Sequence, residues 1–418
     1  MSSLAPRRAA LRMISGVLDE GRMLFEANAA LRDLGPADRA RAERLAQGVL
    51  RHLGRCDTLL MEHLSKAPPE AVLHILRLAT YEICADGSAS HGVVYDAVQI
   101  TGKHRNTQRL KGLVNAVLRK VAKQGPEAWA KLTPSELPDW LRARLMKVYG
   151  KAAVAAMEAA HSFAPPTDFT VRDEFELPNA DVLPTGQVRL ARPGQISALP
   201  GYTEGKWWVQ DASAALPVQM LSVVPGETVL DLCAAPGGKT LQFAAAGAKV
   251  TADDVSERRM SRVEENLKRM NLKANVQVAD ARAVRGTFKT VLLDAPCSAT
   301  GTLRRNPDLA YAKMDLDLRE LTELQRVLLA HAAKLGAADG RLLYCTCSLL
   351  PEEGEAQVRA FLAKNPGWRT DPSIFQHPGV DPAWLTEEGG IRLRPDYWAE
   401  FGGMDGFYIA LLEKTQPA

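Results

Sequence analysis

The sequence predicts a mainly parallel, doubly wound α/β domain preceded by an all-helical domain and a small α+β linker. Three observations carry this. Apolar residues in the first third recur at helical spacing. A stretch punctuated by Pro and Gly follows. From Trp207 onward, β-branched runs alternate with helical segments. With 418 residues the chain is too long for one ordinary core, so several domains are expected.

The helical part comes first. "RLAQGVLRHLG" sets Leu45, Val49 and Leu53 four apart. "AVLHILRLATYEI" places Val72, Ile75, Leu76 and Ala79 on one stripe, and "QRLKGLVNAVLRKVA" does the same with Leu110, Leu113, Val114, Val117 and Val121. "LGPAD", "KAPPE" and "ADGSASHG" break these runs, so residues 1–145 read as a helical bundle. Residues 146–206 read as the small linker domain, because short alternating runs lie between "APPTDF", "LPTGQ" and "ALPGY". Residues 207–418 read as the α/β domain. Its strands are "ETVLDLCA", "AKVTADD", "NVQVAD", "FKTVLLDAP" and "GRLLYCTCS", with "GFYIALLE" as a last strand.

Composition excludes several classes. No apolar run approaches the roughly 18 residues that a membrane span needs, and no signal-peptide block stands at the N-terminus. A cytoplasmic protein with no membrane partner is expected. Six cysteines fit no disulfide scaffold, and no C-x-x-C pair suggests zinc, so no metal is expected. Net charge is only +3 but uneven. Ten arginines and no lysine lie between Arg7 and Arg55. The segment from Ala97 to Pro126 holds seven Lys/Arg and no acid, which suits phosphate contact or a solvated helix face.

In a doubly wound sheet, ligands sit beyond the carboxyl ends of the strands. There "DLCAAPGGKT", residues 231–240, joins a strand to a helix. Gly237 and Gly238 allow close backbone approach, and the helix start offers free N–H groups. The loop is neither G-x-G-x-x-G nor a full phosphate-binding loop, which disfavours a dinucleotide and an NTP. Asp254 ends the next strand, where a carboxylate can take ribose hydroxyls; Asp253 is its competitor, since strand neighbours face opposite ways and only one should reach the pocket. Asp280 follows the third strand and suits an adenine amino group. Acids at consecutive strand ends without a phosphate cradle fit a positively charged nucleoside such as S-adenosylmethionine. As an alternative, each acid caps a turn.

"LLDAPCSATGTLRRNPD" carries Asp294 and Cys297, and "YCTCS" carries Cys345 and Cys347. A methyl donor, thiols and a carboxylate in one cleft suit methylation at carbon 5 of a pyrimidine. That carbon becomes nucleophilic once a thiolate adds to carbon 6. An Asp–NH pairing at ring nitrogen 3 would favour the negative charge that develops, which calls for a carboxylate beside the base.

"DLCAAPGGKT", "LLDAPCSATGTLRRNPD" and "TCS…PEE" closely resemble the motifs of RNA 5-methylcytosine methyltransferases. The front domain looks like the NusB-type RNA-binding fold. "WWVQDASAALPVQML" and "DGFYIALLE" also match, so nearly the whole chain resembles the bacterial 16S rRNA cytosine methyltransferases of the sun type. The resemblance implies a Rossmann-like catalytic domain. It implies S-adenosylmethionine contacts at Cys233, Ala234, Ala235, Pro236, Gly237, Gly238, Lys239, Asp254, Asp280 and Asp294. It puts the nucleophile at Cys347 and a role in product release at Cys297. The family usually has a small residue at the position of Cys345, so Cys345 reads as packing, as do Cys56 and Cys84.

The expected substrate is therefore 16S rRNA, with a cytosine out of its stack and a monomeric enzyme. A tRNA methyltransferase and a non-catalytic RNA-binding or antitermination factor are the alternatives. A deaminase is disfavoured because P-C-x-x-C is absent after Pro296. Arg304 and Arg305 read equally as phosphate contacts or solvated surface. Trp207 and Trp208 read as core rather than as base-stacking platforms.

Overall fold

The computed structural model describes residues 4–103, 105–313 and 317–415, apart from the Asn28 side chain. The chain forms two compact units. One holds residues 4–163 together with residues 303–313, and the other holds the rest.

The first unit is helical. Its main helices are Leu4–Leu18, Pro36–Arg51, Leu53–Met61, Glu70–Cys84, Ser90–Lys103, Lys111–Ala130 and Asp139–His161. The expected apolar stripes face inward: Val72, Leu76, Val114, Val117 and Val121 pack in one core, and Leu45 and Val49 in a second. The run from Leu45 to Leu53 is not one helix, because the backbone bends at His52 (φ −113°, ψ 23°). The last helix runs to His161, so the expected boundary at residue 145 falls inside it; Gly150 bends it at φ 79°.

One arginine of the N-terminal run is internal, and four others are partly buried. Arg7 is buried and paired with Glu82 at 2.7 Å and Asp96 at 2.6 Å. Arg55 lies over the Trp129 ring. The later basic segment differs: Lys103, Arg105, Arg109, Lys111, Arg119, Lys120 and Lys123 are all exposed. Arg304 is a correction to both of its expected readings. Its segment belongs to the helical unit, where the residue is 1% exposed and its carbonyl accepts from Arg51.

The second unit opens with a four-stranded antiparallel sheet. Its strands are β1 (Thr167–Val171), β2 (Asp181–Val182), β3 (Val188–Leu190) and β4 (Trp207–Val209), in the order β2-β3-β1-β4. Trp207 therefore belongs to this sheet rather than opening the α/β domain. Trp207 and Trp208 are buried, as core residues. A buried Arg189–Asp168 pair at 2.6 Å fastens the sheet, since Arg189 also donates to Phe401 O and Gly403 O.

The large sheet contains β5 (Thr228–Leu232), β6 (Lys249–Asp254), β7 (Asn275–Val278), β8 (Phe288–Asp294), β9 (Gly336–Thr346), β10 (Trp368–Thr370), β11 (Ile391–Leu393) and β12 (Phe407–Lys414). Their order is β10-β12-β9-β8-β5-β6-β7, and β11 pairs with β12. Strands β5 to β9 pair in parallel, while β12 runs antiparallel to β9. Apolar side chains cover both faces, as buried parallel strands require. Among the described residues no helix is long and apolar enough to cross a membrane.

Candidate active site

Strands β6, β5, β8 and β9 are consecutive neighbours, so their carboxyl ends line one edge. The loop after β5 turns sharply. Cys233 takes a left-handed conformation (φ 61°), uncommon for a residue with a side chain. Gly237 stands at φ 101° as the N-cap of the helix Gly238–Ala245, a conformation that favours glycine. A Cβ on Gly237 would also meet Val263 at 3.0 Å. The Ala234 N–H donates to Asp253 O, tying the loop to β6.

Asp254 turns toward this loop. Its carboxylate accepts from the N–H of Ala235 (3.3 Å) and of Ser256 (3.0 Å), and Arg259 lies 3.2 Å away. Asp253 is fully buried, and neither carboxylate oxygen has a hydrogen-bond partner. Desolvation, with Asp254 and Asp280 nearby, pushes its pKa up to about 6. Asp280 lies on the same edge but is half exposed. It caps the turn Ala281–Ala283 and binds Arg282, whose hydrogen bonds hold it down to about 2. The capping alternative thus describes Asp280 here. Asp231 is buried and accepts from Thr240 Oγ1 at 2.6 Å; burial raises its pKa to about 7.

Asp294 is held from two sides. Lys239 Nζ lies 2.8 Å from one oxygen, and Cys345 Sγ 3.5 Å from the other. The second contact follows from register, since Asp294 faces Cys345 across β8 and β9. Burial works against the Lys239 ammonium, but Asp294 leads the opposing interactions and the net shift is upward. Cys345 is fully buried, and burial followed by Asp294 raises its thiol. It packs, as expected, and it also touches the carboxylate, which sequence reasoning missed.

Cys297 and Cys347 meet with their sulfurs 3.5 Å apart, and both are partly exposed. Their loops interlock: Gly301 N–H donates to Cys347 O, and a Cβ on Gly301 would meet Gly406 O at 1.9 Å. The hydrogen bond to Cys347, followed by burial, raises the Cys297 pKa. Either sulfur can donate its S–H to the other. Cys233 is also raised by burial, then by Asp294, and reads as structural. Sequence reasoning also missed Glu353, which is fully buried beside both cysteine loops. The "PEE" run was its signal.

Metal binding fits poorly. Among the described residues one cluster, Asp19, Glu70 and His74, brings ligand atoms within 4.8 Å of one another. His74 is already bonded to Asp19, and Arg77 lies near both His74 and Glu70, which makes an ion-pair cluster.

A mainly parallel sheet with a glycine turn, acids and thiols along its carboxyl edge has the arrangement of a Rossmann-like methyltransferase domain. Residues 218–413 match the family described as 16S rRNA methyltransferase RsmB/F, and residues 4–123 match the NusB family. The chain is 34% identical to the ribosomal RNA small subunit methyltransferase B of Cronobacter sakazakii, with 99% of each chain covered. It is 34% identical to that of Escherichia coli O157:H7, with 98% of each covered. The solved structure of PH0851 covers 99% of both chains at TM-score 0.73 and 26% identity. A methyltransferase homolog from Pyrococcus horikoshii covers 68% of this chain and all of its own, at TM-score 0.54 and 26% identity. The chain belongs to the 16S rRNA methyltransferase RsmB/F family. It is a methyltransferase with a Rossmann-like domain behind a NusB-family domain.

Proposed function

We propose that this protein methylates carbon 5 of a cytosine in 16S rRNA through a covalent bond to Cys347. One observation carries the reading: the 3.5 Å contact between Cys347 and Cys297, on the edge where Lys239 holds Asp294. The relatives named ribosomal RNA small subunit methyltransferase B supply the substrate class.

The residues present fit S-adenosylmethionine. The glycine turn 233–239 leads into a helix start whose N–H groups suit a ligand, and Asp254 offers a carboxylate to a nucleoside, whereas Asp280 caps its own turn and pairs with Arg282. When bound, this cofactor supplies an electrophilic methyl group. Cys347, as thiolate, adds to carbon 6 and forms the S–C bond. Asp294, once protonated, can donate a hydrogen bond to ring nitrogen 3, where the negative charge of addition develops. Its pairing with Lys239 limits the repulsion that a bare carboxylate would exert on the attacking sulfur. After carbon 5 carries the methyl group, its proton passes to solvent water, the C–H electron pair re-forms the 5,6 double bond, the S–C bond breaks, and Cys347 departs as thiolate. Cys297, held protonated, donates a hydrogen bond to that departing sulfur.

The exposed basic residues Lys103 to Lys123 suit phosphate contact, giving affinity rather than chemistry. The test is incubation with tritiated S-adenosylmethionine and 16S transcript, tRNA or DNA. Label should enter the 16S transcript as 5-methylcytosine. Label on tRNA alone overturns the substrate, and no label on any overturns the enzymatic reading.

A further inference from the structure

Glu353 lies in the turn Pro351–Glu353 that follows the second cysteine loop, and none of its surface is exposed. A carboxylate buried this deeply needs donors on both oxygens to offset its desolvation. Here it has them, and they come from both cysteine loops. Oε1 accepts from the Ser298 N–H at 2.8 Å and from Gln325 Nε2 at 2.9 Å. Oε2 accepts from the hydroxyls of Ser298 and Ser348. Ser298 is the residue after Cys297, and Ser348 is the residue after Cys347.

The surrounding bonds extend the clamp. Gln325 also donates to Pro296 O at 2.9 Å, just before Cys297. Thr300 Oγ1 lies 3.1 Å from Ser298 Oγ and accepts from the Leu349 N–H at 2.9 Å, again joining one loop to the other. The carbonyl of Glu353 accepts from Tyr344 on β9 at 2.7 Å, so the turn is fixed to the strand that carries Cys345. None of these bonds touches the glycine turn or Asp254.

We propose that Glu353 is the positioning residue that holds the sulfurs of Cys297 and Cys347 in contact. It acts through Ser298 and Ser348 and touches neither substrate nor cofactor. This deepens the proposed function, since it names what keeps the nucleophile and its partner thiol in register. Its charge has a second effect. After the bond to Cys347, burial and the Cys347 charge, Glu353 contributes to keeping Cys297 protonated.

The test reads the thiol contact directly, without RNA. An azodicarboxamide oxidant takes two electrons and two protons from the pair, forming the Cys297–Cys347 disulfide and the hydrazine. The wild-type protein should close this bond quickly. Glu353→Leu keeps the volume but no acceptor, and should close it at least ten-fold more slowly. Its kcat should fall by a similar factor, while S-adenosylmethionine affinity changes less than two-fold. Glu353→Gln keeps a carbonyl for the Ser298 N–H and Gln325, and the two hydroxyls can rotate to accept from its amide. It should recover most of the closure rate. Ser348→Ala, a mild change that keeps the fold, should slow closure several-fold. Wild-type closure rates in both Glu353→Leu and Ser348→Ala overturn the proposal, as does a wild-type protein that forms no Cys297–Cys347 disulfide. Slow closure in the variants of a protein that methylates no RNA would support the clamp and sink only the proposed function.

Discussion

Asp253 is a residue whose surroundings suit its charge poorly. It lies on β6 in register with Leu232 and Gln277, fully buried, with both oxygens unpartnered. An unfolded Asp titrates near about 4, and the folded one near about 6. The folded state therefore binds the proton more tightly. Any stability this gives is complete below about pH 4 and is lost as pH rises through about 6. Asp253→Val removes the buried charge and suits a strand. It should raise the melting temperature, more at pH 8 than at pH 4.5, with a pH-dependent part of at most on the order of 3 kcal/mol. Thermal melts at the two pH values check this; an equal or smaller gain at pH 8 would contradict it. The same scale shows what the sequence concealed. Asp294, Cys297 and Cys347 were legible because strand ends bind ligands in such sheets. The contact of Cys345 with Asp294 was not, because it needs the β8–β9 register. Glu353 was hidden more deeply, because its donors stand 28, 55 and 5 residues away.

Among the elements, the helix Lys111–Ala130 was the plainest in the sequence. Its stripe of Val114, Val117 and Val121 is buried, and Lys111, Arg119, Lys120 and Lys123 remain outside. Lys120→Glu with Lys123→Glu should weaken RNA binding across sequences. The slope of log K against log salt should flatten by roughly 0.7 per lost phosphate contact. Filter binding at several salt concentrations measures it, with S-adenosylmethionine affinity as the control. An unchanged slope would remove this helix from the RNA surface. The strands of the large sheet were legible for a related reason, since buried parallel strands are short apolar runs between breakers. The small sheet was less so. β2 has only two residues, and β4 looked like the start of the next domain because a Trp pair marks no boundary by itself.

For the whole molecule, the chain path was the least legible feature. Residues 303–313 leave the sheet unit directly after the Cys297 loop and belong to the helical unit. There Asp308 accepts from the Leu24 N–H, and Ala310 O accepts from Trp140. That excursion explains why Arg304 is buried, although in the sequence it looks like a surface cation. Arg7 misled in the same way, since Glu82 and Asp96 stand 75 and 89 residues from it. Charge runs report a surface only after such long-range partners are known. The central claim, however, concerns one bond. Cys297→Ala protein incubated with 16S transcript and S-adenosylmethionine should accumulate a protein–RNA adduct stable to denaturation. After nuclease and protease digestion, mass spectrometric fragmentation should place the nucleotide on the Cys347 sulfur. Attachment at Cys345, or turnover to product in a Cys347→Ala protein, would contradict the account.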